Sequence, residues 1–148
     1  MKITLVCVGK LKEEYLRAAC QEYLKRLLPY AKINVHELPE STPEAEGARI
    51  AKLIDADPRA YKIAMAIEGA MLTSTAFADK LGNLTTYGVS HVMFVIGGAE
   101  GLSDNVKNIC DMRLSMSKMT FTHQMARVLL LEQIYRAFRI LGGEPYHK

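Results

Sequence analysis

The chain has 148 residues, 49% of them hydrophobic and 24% charged, with 19 lysines and arginines against 16 aspartates and glutamates. This describes one soluble domain, long enough to bury roughly two thirds of its unfolded surface without disulfides or metal. A net charge of +3 does not mark a protein that coats nucleic acid, and no apolar run approaches the roughly 18 residues of a membrane span.

In chain order, Ile3, Leu5, Val6 and Val8 have strand character and end at Gly9. Leu16, Ala19, Cys20, Tyr23, Leu24, Leu27 and Leu28 then recur at helical spacing, laying one apolar stripe on a helix that Pro29 stops. Ile33 with Val35 predicts a second strand. The next helix should start near Ser41 or Thr42, where a hydroxyl caps free amides, Pro43 fits the first turn, and Glu44 and Glu46 complement the dipole. Its buried side is Ala48, Ala51, Leu53 and Ile54, and Asp57-Pro58 ends it. Tyr61 to Ile67 predicts a third strand, followed by a helix from Thr73 or Ser74 through Phe77 and Leu81 that closes around Gly82-Asn83 or Gly88. His91 to Ile96 is the next strand, Ser103 caps a short helix, and Arg113 to Ser117 makes a last short strand. Gln124 to Leu141 forms a long final helix ended by Gly142-Gly143. Strands alternating with helices predict an α/β fold, with a mostly parallel sheet carrying helices on both faces in a single domain over 1–148.

The final helix is apolar almost all the way round, through Val128, Leu129, Leu130, Leu131, Ile134, Tyr135, Phe138, Ile140 and Leu141. One sheet buries only one side of a helix. Either the chain wraps this helix itself, or its second side meets a twin subunit; an exposed apolar face of this size is rare on monomers, and a homodimer is expected. Cys7, Cys20 and Cys110 are far apart and sit among apolar neighbours, as reduced thiols of a cytoplasmic protein would. No metal-ligand spacing is present, and Lys2 with six mostly apolar residues is too short for a signal peptide.

Three stretches carry candidate chemistry. The strand ending at Ile96 runs into Gly97-Gly98-Ala99-Glu100-Gly101-Leu102-Ser103, a glycine-rich turn into a helix. Such a turn lets a backbone approach a ligand, or simply closes tightly. Its GGxxG spacing is not the dinucleotide fingerprint, the P-loop Lys-Ser/Thr is missing, and Glu100 would repel phosphate, so a polyphosphate is not the ligand. The run Leu114 to His123 mixes small hydroxyls with methionines and Phe121, which can cap the last helix or sandwich a flat heterocycle. Arg127, Arg136 and Arg139 punctuate the final helix; Glu132 lies four residues before Arg136, as in a helix-surface ion pair, and the other arginines are solvated or face an anion. Tyr146, His147 and Lys148 close the chain: a frayed end, or a ring that stacks on an unpaired base beside an imidazole that moves a proton.

Taken together, these residues resemble a known family. The start Met1-Lys2-Ile3-Thr4 with Val8-Gly9-Lys10-Leu11-Lys12, the block Phe94 to Gly98 with Glu100-Gly101-Leu102, and Leu114-Ser115 through Met119-Thr120-Phe121 belong to the pattern. So do His123-Gln124-Met125, Arg127-Val128, Glu132 through Phe138 and the closing Tyr146-His147-Lys148. Over essentially the whole chain they are similar to the RlmH family, methyltransferases of the knotted SPOUT class that modify N3 of a pseudouridine in large-subunit ribosomal RNA. The resemblance implies a C-terminal trefoil knot, a homodimer, and S-adenosylmethionine held by Met65, Gly97, Met116, Ser117, Lys118, Met119, Thr120 and Phe121. Periodicity does not show a knot. Leucine is usual at position 65, an acidic or polar residue at 66, and proline at 122, where Thr122 should loosen the start of the last helix; the stretch from Glu40 to Asp57 is short for the family.

The resemblance leads to a mechanistic expectation. His147, with Tyr146 and Lys148, reaches the target base within its own chain or across the dimer, while Arg127 and Arg136 hold RNA phosphate or the partner subunit. A modest net charge suits recognition of a shaped RNA surface within the ribosome, so affinity for free RNA should depend only slightly on salt. Two other classes stay open on the residues alone: a non-catalytic nucleotide-binding module, and a ribosome-associated protein without turnover.

Overall fold

The structure, a computed structural model, describes residues 1–146. Five strands and five helices alternate: β1 Lys2–Val8, α1 Glu14–Leu27, β2 Lys32–Leu38, α2 Pro43–Ala56, β3 Tyr61–Met71, α3 Ser74–Thr86, β4 His91–Ile96, α4 Asp104–Ile109, β5 Met112–Ser115 and α5 His123–Leu141. Every pairing in the sheet is parallel, in the order β2-β1-β4-β3-β5. The central strand β1 pairs along its whole length with both neighbours, Leu5 lying opposite Val35 on one side and Phe94 on the other. That explains its unbroken apolar run, because a strand covered on both faces has no polar side to show.

Strand alternation divides the core into two layers. Ile3, Leu5, Cys7, Val92, Phe94 and Ile96 face a cluster completed by Cys20 and Leu27 of α1, Phe77 and Leu81 of α3, and Leu130, Leu131 and Ile134 of α5. Val6, Val8, Met93 and Val95 face the other way, onto Ile50 and Ile54 of α2 and Val106 of α4. Leu131 and Ile134 are fully buried, each contributing about 1.5–3 kcal/mol of transfer free energy. Helix α5 packs against α1, α3 and β4, so the chain itself covers much of the apolar surface that the sequence left without a partner. No helix among the described residues is long and apolar enough to cross a membrane, and the three cysteines are free.

The helix starts follow the hydroxyls. Thr42, Thr73, Ser103 and Thr122 each accept a hydrogen bond from the backbone N–H three residues on. Thr122 therefore secures the start of α5 rather than loosening it, the reverse of what its replacement of proline implied; a cap of this kind contributes about 1 kcal/mol. Helix α3 runs through Gly82 and Asn83 to Thr86 and is closed by Gly88 at φ +90°, the later of its two expected ends. Two strands differ from expectation. Strand β5 spans Met112–Ser115 rather than 113–117. Strand β3 runs on to Met71: Met65 and Ala70 both lie opposite Leu114, so residues 66–69 bulge out of the ladder.

Candidate cofactor cavity

Four chain segments meet beyond the carboxyl ends of β1, β3, β4 and β5 and enclose a cavity of about 950 Å³. They are the turn 97–102 after β4, the bulge 66–68, the loop 115–122 after β5, and Lys12 to Leu16 at the start of α1. The carboxyl edge of a parallel sheet is where ligands of α/β proteins usually bind, because the loops there vary without disturbing the strands. Both loops that the sequence singles out are therefore walls of one cavity.

The glycine turn owes its composition first to its own closure. The Gly101 N–H donates to the Gly98 carbonyl at 3.0 Å, and Gly101 lies at φ +79°. A Cβ on Gly97 would stand 2.6 Å from the Gly101 carbonyl carbon, so no larger residue fits while the turn stays closed. The loop after β5 is shaped by its hydroxyls: Ser115 Oγ donates to the Ser117 carbonyl, and Ser117 Oγ accepts from the Met119 N–H, both at 3.0 Å. The Thr120 and Phe121 N–H groups have no partner among the described residues, which leaves donors for a ligand. Met119 is 77% exposed and Phe121 38%, unusual for side chains of their size.

Of the residues that the family resemblance assigns to the donor, Met65, Gly97, Met116, Ser117, Met119, Thr120 and Phe121 line this cavity; Lys118 is exposed and lies outside the lining. Sequence reasoning missed Lys12, Glu68, Lys107, His123 and Gln124, which line it as well. The bulge that carries Glu68 had a signal in Gly69: a Cβ there would sit 2.7 Å from the Arg113 and Leu114 backbone, and glycine inside a strand pattern marks such a close approach. Lys107 Nζ lies 2.8 Å from Glu68 and holds its carboxyl below the usual range. Glu13 and Glu100 also reach the cavity, so its rim mixes acidic and basic groups and does not favour a polyanion. Among the described residues no cluster of His, Cys, Asp or Glu could hold a metal ion.

One arginine sits elsewhere than expected for an RNA clamp. Arg127 is 3% exposed; its guanidinium donates to Glu37 Oε2 at 2.6 Å and to the Gly9 carbonyl at 3.0 Å. That corrects its reading as a phosphate contact, because a buried guanidinium already matched to a carboxylate has no face for RNA. Arg136 is paired with Glu132 as the spacing predicted, and its guanidinium lies 4.9 Å from the centre of the Tyr146 ring. Tyr146 also packs edge-on against Tyr135 at 4.9 Å and donates to Glu132 Oε1 at 3.3 Å. Burial, with a hydrogen bond to Tyr23, pushes its phenol up to about 12, so it keeps its proton at neutral pH. Tyr146 does not line the cavity. His147 and Lys148 lie outside the described residues.

Comparison with known proteins agrees with this geometry. A relative from Bacillus pumilus (strain SAFR-032), named Ribosomal RNA large subunit methyltransferase H, is 51% identical over 161 residues and covers all of both chains. A protein of the same name from Bifidobacterium adolescentis is also 51% identical over the full length of both. Among solved structures, a probable methylase family protein from Haemophilus influenzae Rd KW20 superposes with a TM-score of 0.61 at 16% identity, covering 99% of this chain and 70% of that one. The tRNA (m1G37) methyltransferase from Aquifex aeolicus gives 0.56 at 16% identity, covering 100% and 73%. The family model described as "Predicted SPOUT methyltransferase" matches residues 1–147, and with it the chain belongs to the SPOUT methyltransferase family.

Proposed function

We propose that this chain transfers a methyl group from S-adenosylmethionine to N3 of a pseudouridine in the RNA of the large ribosomal subunit. The observation that carries the reading is that two separate loops, 97–102 and 115–122, wall one cavity of about 950 Å³, near the upper end of roughly 300–1,000 Å³ for small-molecule sites. The donor's chemistry fits the lining. Met65, Met116 and Phe121 offer apolar surface to a flat heterocycle, the free Thr120 and Phe121 N–H groups offer donors to its polar edges, and Glu68 and Glu100 suit a cation better than a phosphate. When bound, S-adenosylmethionine supplies an electrophilic methyl group on a positively charged sulfur.

The chain's part in the reaction is placement and proton removal. An in-line displacement needs the accepting nitrogen about 3 Å from the methyl carbon, so the two loops must hold the donor rigidly. The carbon–sulfur bond breaks as the carbon–nitrogen bond forms, and the imide proton of the base leaves to an acceptor. Tyr146 keeps its own proton and serves as a donor or a stacking surface; His147 is the proton acceptor in this scheme, with Lys148 and Arg136 on the RNA. Because Tyr146 is outside the cavity of its own chain, the terminal residues act on a donor held by a second copy, and the enzyme is a homodimer. The exposed Ile67, Leu72, Met119 and Phe121 beside the cavity support such an interface. The trefoil knot is supported by the path of the chain: β5 and β2 are opposite edges of the sheet, yet Gln124 accepts from the Lys12 N–H and Arg127 reaches Gly9 and Glu37. The loop 116–122 therefore crosses the carboxyl ends of β3 and β4. The enzyme works in the cytoplasm, on RNA in or near the assembled ribosome.

The test is methyl transfer from labelled S-adenosylmethionine to ribosomes and to free rRNA taken from cells lacking this protein, with the modified nucleotide mapped. Label at N3 of one large-subunit pseudouridine is the expected result. Donor binding without transfer to either RNA would refute it.

A further inference from the structure

A second hollow of about 250 Å³ adjoins the cavity and shares with it a wall that includes Met65, Met116 and Phe121; Ser74 and Gln133 are among its polar lining residues, with Thr73 and Ser115. Its volume lies just under the roughly 300 Å³ at which pockets for drug-sized ligands begin, which suits a single planar ring. The Ser74 hydroxyl donates to Gln133 Oε1 at 2.7 Å, and Gln133 Nε2 donates to Glu132 Oε2 at 2.9 Å. Glu132 is in turn the carboxylate that holds Arg136 and accepts from Tyr146. Since a carboxylate only accepts, the amide of Gln133 is locked in one orientation. A carboxamide offers two donors and two lone pairs, so one donor and one acceptor remain for a ligand in the hollow.

A pyrimidine joined to its sugar through carbon keeps an N1–H beside the C2 carbonyl, a donor and an acceptor on neighbouring atoms. A pyrimidine joined through N1 has no hydrogen there. Building on the function proposed above, we infer that this hollow receives the flipped target base and that Gln133 is the residue that selects pseudouridine over uridine. Gln133 accepts from N1–H and donates to the C2 carbonyl. N3, on the far side of that carbonyl, stays free to face the wall shared with the donor cavity. Phe121 gives the ring an apolar surface, as flipped bases require. Uridine would leave the second lone pair of Gln133 Oε1, whose first accepts from Ser74, without a donor in the hollow, and the loss of such a bond is how hydrogen-bonding sites discriminate against an analogue that lacks one polar hydrogen.

The test uses the full-length protein and ribosomes bearing either pseudouridine or uridine at the target position. Initial methyl-transfer rates are measured on each, and affinity for S-adenosylmethionine by calorimetry. Wild type should favour pseudouridine, and Gln133→Leu should shrink that preference about tenfold or more while donor affinity stays within about twofold. Ser74→Ala removes only the bond that orients the amide; it should shrink the preference by less, and it serves should Gln133→Leu not fold. No preference in wild type, an undiminished preference in the variants, or donor affinity weakened as much as the preference would overturn the assignment and leave the methyl-transfer reading standing. Wild-type protein that methylates neither ribosome would bring down both.

Discussion

Replacing Arg127 by methionine separates a clamp on RNA from a strut inside the fold. The guanidinium is 3% exposed and holds Glu37 and the Gly9 carbonyl, tying the start of α5 to the carboxyl ends of β1 and β2. Removing one partner of a fully buried ion pair costs about 3–5 kcal/mol, because the other charge is stranded. Two features lower that figure here. The Glu37 side chain is 36% exposed and can recover hydration, and Arg127 Nε is buried with no partner, so the native state already carries a desolvation cost that methionine removes. The balance is a loss of about 2–3 kcal/mol, or roughly 4–12 °C in melting temperature for a domain of this size. Thermal unfolding of wild type, Arg127→Met, Glu37→Gln and the double variant measures it, and the cycle should return most of the loss as coupling between the two residues. Melting within about 2 °C of wild type, together with RNA affinity whose salt slope falls by about 0.7–0.9, would show Arg127 neutralising a phosphate and refute the strut.

Three other substitutions probe the cavity and the core. Gly97→Ala forces a Cβ against the Gly101 carbonyl carbon at 2.6 Å; it should cost about 1–3 kcal/mol and weaken S-adenosylmethionine binding, and unchanged calorimetric affinity would show that the turn does not hold the donor. Thr122→Ala removes the hydroxyl that accepts from the Met125 N–H; a denaturant midpoint should report about 1 kcal/mol lost, and no change would mean that solvent satisfies the amide as well. Burial pushes the Cys7 thiol up from 9.0 to about 12. The fold therefore keeps a proton that the unfolded chain releases as pH passes 9.0, and the stability tied to that thiol, complete below pH 9.0, is lost as pH climbs toward 12. The stability gap between wild type and Cys7→Ala should narrow as pH rises from about 9 toward about 12; a constant gap would show the thiol ionising equally in both states.

The layers of the fold were legible wherever a residue's environment depends on its near neighbours in sequence. The alternation in β1, the stripe on α1 and the hydroxyl caps at Thr42, Thr73, Ser103 and Thr122 all report local geometry, and each element stands where that geometry puts it. The bulge at 66–69 left only one local sign, Gly69 inside a strand pattern. Its cause is the Arg113 backbone, more than forty residues on, which approaches so closely that only Gly69 fits. Glu68 and Lys107 were missed as cavity residues for the same reason: strand β5 and helix α4 bring them together, and no short-range pattern records it.

The arginines of α5 show where local reading misleads. A charged residue on a helix rich in leucine is read outward, because burying a lone guanidinium is costly. For Arg136 that gave the right partner, since Glu132 is one turn away. For Arg127 the partner is Glu37, ninety residues back on the far edge strand, and it is within reach only because the loop after β5 crosses the sheet before α5 begins. One crossing thus does two things: it lays 115–122 beside 97–102 as the second wall of the cavity, and it drives Arg127 into contact with the ends of β1 and β2. The strut and the cavity wall are consecutive parts of one segment. Loosening Arg127 should then reach the donor site through the backbone, raising the dissociation constant for S-adenosylmethionine in Arg127→Met while Arg127→Lys, which keeps a charge facing Glu37, restores part of it. Calorimetry on the two variants checks this order, and equal donor affinities would separate the strut from the wall.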